Sequence, residues 1–320
     1  MPDLKTLTCI GAGRMGRGIA QSVAYHGHSV RLIDAKDRSP NEFGIVRDVA
    51  LKEMAELGSF EAAAVLPIMA GISVVPRAEA EPALSDTAIV FEAVPEVREA
   101  KKQAFRLFDQ FANADAVLAS TTSTMLSTDL VELTENRARF LNAHWLNPAF
   151  LVPLVELSPT DETAPETTEK LKSFLEQIGK VPVICKASLG YIVSRIQALA
   201  MNEAARLVEE GVASAEDVDK AVHYGFGMRF AILGLLEFID WGGGDILFYA
   251  SRYLQTSLET DRFEASDIIE RNMAENHIGM KTGAGFYDYE NRDVAAYRKD
   301  RLRAFIAALK QMGLDKEPQV

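Results

Sequence analysis

The run Leu4-Lys5-Thr6-Leu7-Thr8-Cys9-Ile10, followed by Gly11-Ala12-Gly13-Arg14-Met15-Gly16, decides the fold. It reads as a short apolar strand that breaks into a G-x-G-x-x-G turn, after which Gly18 to Tyr25 continue as a helix stopping near Gly27. In that setting Gly11 makes the tight turn, Gly13 lets backbone approach a pyrophosphate, and Gly16 lets the helix pack closely on the strand. The helix N-terminus then faces the phosphates. The next strand, Ser29 to Ile33, ends at Asp34, whose carboxylate is placed to accept hydrogen bonds from an adenosine ribose. Together these features predict a dinucleotide-binding α/β domain.

Working outward, Arg38 to Gly71 is expected to form a helical insert, with Phe43, Val46, Ala50, Met54 and Leu57 near helical spacing before a Gly58-Ser59 break. Strands are expected at Ile72 to Val75, Thr87 to Val94, Ala116 to Ala119, Arg139 to Ala143, Val152 to Leu157 and Val181 to Cys185. Their continuous apolar runs suit a parallel sheet buried on both faces, whose carboxyl edge gathers ligands. After Lys186 the period changes. Helices are expected at Tyr191 to Glu210, Ala215 to Tyr224, Ala231 to Ile239 and Ile246 to Leu254, and no strand period returns. The expected architecture is a Rossmann-like, doubly wound, mainly parallel sheet over residues 1–187. An all-helical dimerisation domain follows over 188–320. Leu199, Leu207, Leu233, Leu235, Leu236, Phe238 and Trp241 are more apolar surface than such a domain easily hides, which points to a homodimer.

The 320 residues, 48% apolar and 25% charged, are enough chain for two domains with cores. No apolar run approaches the ~20 residues of a membrane span, and the chain enters its first strand with no room for a signal peptide. A cytoplasmic location without membrane attachment is expected. A formal net charge of −12 argues against a nucleic-acid groove but leaves room for an anionic small molecule held locally. Cys9 and Cys185 each lie in a strand-like run and read as small buried hydrophobes, not as a disulfide or metal site.

Three carriers of chemistry stand out. In Ala143-His144-Trp145-Leu146-Asn147-Pro148 a histidine precedes, by twelve residues, Glu156 in the apolar run Leu154-Val155-Glu156-Leu157. Histidine titrates nearest neutrality, and a carboxylate that orients the imidazole makes a proton-transfer pair. Ser120-Thr121-Thr122-Ser123-Thr124 forms a hydroxyl-rich turn at another strand end. Arg229 lies in what reads as an apolar loop, where a guanidinium fork suits either a substrate carboxylate or a salt bridge.

These residues resemble the 3-hydroxyacyl-CoA dehydrogenase family over essentially the whole chain. The matching stretches are Gly11 to Gly16, Phe91 to Glu96, Ser120 to Met125, His144 to Pro148, Leu154 to Leu157, Gly190 to Gly211, and Lys281-Thr282-Gly283-Ala284-Gly285-Phe286-Tyr287. The resemblance implies NAD as cofactor, with His144 as general base, Glu156 as its orienting partner, and Ser123 and Asn147 near the reacting oxygen and the nicotinamide. It implies cofactor contacts at Arg14 and Met15 within the glycine turn, and at Asp34, Glu96, Lys101 and Lys281. The implied reaction is oxidation of an L-3-hydroxyacyl substrate to its 3-oxo product, on a short CoA thioester such as 3-hydroxybutyryl-CoA. Three departures bear on the substrate. Ser194 stands where the family usually has an asparagine in the active site. The insert after Asp34 carries only Lys36, Arg38, Arg47 and Lys52, where the CoA-using enzymes usually have a lysine-rich hairpin. Gly225 to Gly234 resembles the lambda-crystallin and L-gulonate 3-dehydrogenase branch, and more loosely the carnitine dehydrogenases. Those relatives make a free 3-hydroxy acid the alternative substrate, and a non-catalytic NAD-binding crystallin the alternative of another class.

Overall fold

The computed structural model describes residues 6–34 and 51–315. Contacts divide the chain into two compact units, Met1–Ala200 and Met201–Val320. The first unit is built on one eight-stranded sheet in the order β3-β2-β1-β4-β5-β6-β7-β8. Its strands are β1 (Thr6–Ile10), β2 (Ser29–Asp34), β3 (Ile72–Pro76), β4 (Ile89–Glu92), β5 (Val117–Ser120), β6 (Phe140–Trp145), β7 (Leu154–Pro159) and β8 (Val181–Ile184). From β3 across to β6 every pairing is parallel. Strand β7 then runs antiparallel to β6, and β8 parallel to β7. The reversal at β6–β7 was not foreseen from the apolar runs, because a buried strand carries no mark of its direction.

Helices α1 (Arg14–Tyr25), α2 (Val65–Ala70), α3 (Ala80–Leu84), α4 (Arg98–Phe111) and α5 (Pro165–Gln177) cover the sheet on both faces. One core joins Leu7, Ile19, Val23, Phe91, Trp145, Val155 and Phe174, and a second, on the other face, joins Ile10, Leu84, Val90, Phe105, Phe108 and Phe140. This is the doubly wound, Rossmann-like arrangement expected from a strand, turn and helix repeated along a parallel sheet. Cys9 is fully buried in β1, and both cysteines are free thiols. Of the helical insert, residues 51–56 and α2 are helical. Phe43, Val46, Ala50, Lys36, Arg38 and Arg47 lie outside the described residues.

Helix α6 (Val193–Glu209) begins in the first unit and ends in the second. The chain expectation put a boundary after residue 187, whereas contacts divide it inside α6. The reason is local: the amides of Ile192 and Val193 are hydrogen-bonded to Glu156, and the Tyr191 hydroxyl donates to the Met125 carbonyl. The second unit's described residues are helical apart from turns and isolated bridges, with α7 (Ala215–Ala221), α8 (Leu235–Gly242), α9 (Gly244–Ser257), α10 (Asp267–Ala274) and α11 (Val294–Gln311). Between α7 and α8, Val222–Gly227 winds as a π-helix into the short helix Met228–Phe230, so Arg229 sits on a helix and not in a loop. Among the described residues no single helix is long and apolar enough to cross a membrane. Of the apolar set read as an interface, Leu233 is buried, Leu207, Leu235, Phe238 and Trp241 are half-buried, and Leu199 and Leu236 are exposed.

Candidate active site

The glycine turn after β1 has the geometry that its sequence demands. Gly11 holds φ at +110°, and a Cβ there would lie 2.6 Å from the Ala93 carbonyl oxygen. A Cβ on Gly16 would lie 1.9 Å from the Gly11 carbonyl oxygen, so α1 packs where only glycine fits. Gly13 is exposed, and an added Cβ would meet nothing closer than 4.0 Å, which leaves backbone open to a ligand. It also begins α1 with no side-chain cap and no acidic residue in the first turn. The first-turn N–H groups therefore point outward, next to the exposed Arg14 and half-buried Met15. A dinucleotide pyrophosphate fits this cradle. Asp34, expected to meet the adenosine ribose, closes β2 and is almost fully buried.

Beside the cradle lies a buried charge network. Glu92, the last residue of β4, is fully buried; it accepts hydrogen bonds from Lys101 Nζ at 3.0 and 3.1 Å, from the Ser120 hydroxyl at 2.6 Å and from the Val94 amide at 2.8 Å. Lys101 is on the inward face of α4 with Ala104, Phe105 and Phe108. Its ammonium also lies 3.6 Å from Glu96. Expected as a cofactor contact, Lys101 is instead 1% exposed, with its donors directed at carboxylates, so it reaches the site through them. Glu96 in turn accepts from the Thr122 hydroxyl at 2.7 Å and the Ser123 amide at 2.9 Å, which fixes the hydroxyl-rich turn. Asn142 of β6 brackets Thr122, accepting from its N–H at 3.2 Å and donating to its carbonyl at 3.1 Å. Ser123 is thereby tied to the strand that carries His144.

His144 and Glu156 face each other directly in the β6–β7 register. The imidazole Nδ1 lies 2.7 Å from Glu156 Oε2, and both side chains are buried. The second carboxylate oxygen accepts from the amides of Ile192 at 3.0 Å and Val193 at 2.9 Å. Burial alone pushes the Glu156 carboxyl up, but the bonds from His144 and the two amides outweigh it and hold it below the ordinary carboxylate range. Against an ionised carboxylate, Nδ1 carries the proton of neutral imidazole, which leaves Nε2 with a lone pair. Tyr191, in left-handed backbone at φ +47°, sets its ring 5.8 Å from the imidazole and anchors its hydroxyl on Met125. The sequence marked the histidine and the glutamate; Glu92, Asn142 and Tyr191 were missed. A polar residue inside an otherwise apolar strand was the signal for the first two.

The remaining expected residues are placed as follows. Asn147 is exposed in the connection that leaves β6, and Ser194 is half-buried in the first turn of α6. Arg229 is exposed; its Nε donates to the Gly225 carbonyl at 2.8 Å and its guanidinium stacks over Phe238. Among the described residues no carboxylate pairs with it, so the intrachain salt bridge is not seen. Lys281, in the second unit, is bound to both oxygens of Asp245 at 2.8 Å. Its neighbouring glycines have a local reason: buried Asp240 accepts from the Phe286 and Tyr287 amides, and a Cβ on Gly285 would lie 2.2 Å from that carboxylate.

Profiles of two protein domains match the chain: the 3-hydroxyacyl-CoA dehydrogenase NAD binding domain over residues 6–188, and the 3-hydroxyacyl-CoA dehydrogenase C-terminal domain over 190–289. The chain is 36% identical over 294 residues to the mitochondrial hydroxyacyl-coenzyme A dehydrogenase of Sus scrofa, covering 90% of this chain and 92% of that one. It is 30% identical over 283 residues to the 3-hydroxybutyryl-CoA dehydrogenase of Clostridioides difficile, covering 88% and 99%. The crystal structure of a 3-hydroxyacyl-CoA dehydrogenase from Archaeoglobus fulgidus superposes with a TM-score of 0.75 at 30% identity, covering 97% of this chain and all of that one. The cradle, the buried pair on β6 and β7 and these likenesses agree, and the chain belongs to the 3-hydroxyacyl-CoA dehydrogenase family.

Proposed function

We infer that this chain is an NAD-dependent dehydrogenase that oxidises an L-3-hydroxyacyl group to its 3-oxo form, on a short CoA thioester such as 3-hydroxybutyryl-CoA. The observation that carries it is the 2.7 Å pairing of His144 with Glu156 in adjacent strands of a sheet that ends in a dinucleotide cradle. Nε2 of neutral His144 takes the hydroxyl proton of the substrate. Glu156 keeps the imidazole in the tautomer that leaves Nε2 free, and stabilises the imidazolium that forms. NAD supplies the hydride acceptor for the same carbon. Ser123 and Asn147 hold the substrate oxygen, and the Gly11–Gly16 backbone with Arg14 and Met15 holds the pyrophosphate. Asp34 binds the adenosine ribose, and Glu96 and Lys281 contact the cofactor; Ser194 contributes a hydroxyl toward the acyl group.

Arg229 favours a second reading. An exposed guanidinium that pairs with no carboxylate among the described residues suits the carboxylate of a free 3-hydroxy acid. The discriminating measurement is NADH absorbance, with acetoacetyl-CoA in the reducing direction and free 3-hydroxy acids in the oxidising one. Turnover of the thioester alone upholds the first reading; turnover of free acids alone, lost in Arg229→Met, overturns it.

The working unit is a cytoplasmic homodimer formed through residues 188–320. Leu199, Met201 and Tyr253 are each 66–70% exposed, and Leu236, Ile246 and Tyr249 extend the exposed apolar surface. Light scattering should give twice the chain mass at micromolar concentration, and a monomer there would refute the assembly.

A further inference from the structure

Lys180 is a buried cation that the chemistry above does not use. Gly179, at φ +68°, ends α5, and the turn is closed by bonds from the Gly179 amide to Glu176 O at 3.1 Å and from the Lys180 amide to Leu175 O at 2.9 Å. The side chain then runs inward and is 7% exposed. Its ammonium donates to the carbonyls of Ala149 at 2.7 Å and Val152 at 2.9 Å, and lies 5.2 Å from the centre of the Trp145 ring. No carboxylate of the described residues pairs with it, and burial alone lowers its pKa to about 8. A desolvated ammonium without an anion costs stability. What it obtains in return is the shape of one segment: the connection from β6 to β7, which starts beside His144 and carries Asn147. Ala149 in that connection is buried, and its Cβ packs against Gly18 of α1, where an added Cβ would lie 3.1 Å from it. The segment is therefore held between the cofactor helix and the Lys180 ammonium.

We propose that Lys180 is a positioning residue for the hydride-transfer reaction, whose ammonium fixes the Trp145–Val152 connection and with it the side chain of Asn147. This rests on the reading of Asn147 as a substrate and nicotinamide contact. The experiment compares Lys180→Met, Asn147→Ala and the double variant by kcat, NADH binding from fluorescence titration, and melting temperature. Lys180→Met should lower kcat about tenfold to a hundredfold, the scale on which misplacement of a reacting group acts. NADH binding should stay within about twofold, because the cradle is untouched, and the double variant should be no slower than Asn147→Ala. Lys180→Arg, which keeps the charge and the donors, should recover most of the rate. If Lys180→Met does not fold, Lys180→Gln, which loses the charge and shortens the side chain but keeps an N–H donor for partial support, takes its place with a smaller loss of kcat in the same direction, and wild-type kcat there overturns the proposal as well. Wild-type kcat in Lys180→Met beside a slow Asn147→Ala overturns the proposal alone, as do additive losses in the double variant. Wild-type kcat in Asn147→Ala removes the reading of Asn147, and the proposal with it.

Discussion

Among the described residues of the first unit two carboxylates are completely buried, Glu92 and Glu156, and their partners differ in kind. Glu92 has its partners within the fold: a lysine from α4, a hydroxyl from β5 and an amide from the loop that follows β4. Glu156 accepts from two amides, and its third partner is a histidine. The desolvation problem is the same in both places. A lysine partner suits scaffold, and a histidine partner, a side-chain type that exchanges protons near neutrality, suits the proton transfer proposed above. Burial of a charge thus marks importance without saying which kind; the partner's chemistry does that.

The difference can be broken from either side. Removing the reactive partner should give the largest effect: His144→Ala should lose about a hundred- to ten-thousandfold in kcat, the range of general base catalysis, while NADH still binds in a fluorescence titration. Wild-type-like turnover in that variant would falsify the central assignment. Removing the scaffold cation should act on folding instead. Lys101→Met leaves Glu92 buried without its counter-charge and should lower stability by about 3–5 kcal/mol in a urea titration, and Glu92→Leu combined with Lys101→Met should restore much of it. A Lys101→Met protein as stable as wild type would show that the network is not what holds β4, β5 and α4 together.

The smallest effect is expected at Glu156→Gln, which keeps the shape of the carboxylate but not its charge. Its kcat should fall in the same direction as that of His144→Ala, more mildly. It also has a pH signature. A carboxyl held below its unfolded value of about 4.3 contributes stability that is fully present above that pH and is lost as pH falls through the lower folded value. Denaturation midpoints between pH 5.5 and 3 should therefore drop less in Glu156→Gln than in wild type, and equal slopes would contradict the assignment.

The parts of this molecule that were legible in the chain are those where a residue type has one physical use. Gly11 and Gly16 are readable because no side chain fits where they sit, and Asp34 because a strand end after a glycine turn has one place for a carboxylate. His144 and Glu156 could be named as a pair, yet their being opposite each other depends on the antiparallel turn of β7, which apolar runs do not encode. Glu92 was hidden inside the run Phe91 to Glu96, since a periodicity argument sees strand and not hydrogen bonds. Lys101 was placed on the cofactor by the family resemblance alone; it shares its helical face with three buried apolar neighbours, which turn it inward. Arg229 was read as a loop residue because it falls between the helices expected at Ala215 to Tyr224 and Ala231 to Ile239, whereas Gly225 and Gly227 lie within a continuous helical path.

The register of β6 against β7 sets a rule for how this chain can change its length. Side chains alternate between the two faces of a sheet, so a pair opposite each other stays a pair only while each strand keeps an odd or even count. One residue inserted between Phe140 and His144 would turn the imidazole to the other face and leave Glu156 opposite its former neighbour, with no side chain substituted at all. The parity of a six-residue strand is as much a condition of the chemistry as the identity of its histidine.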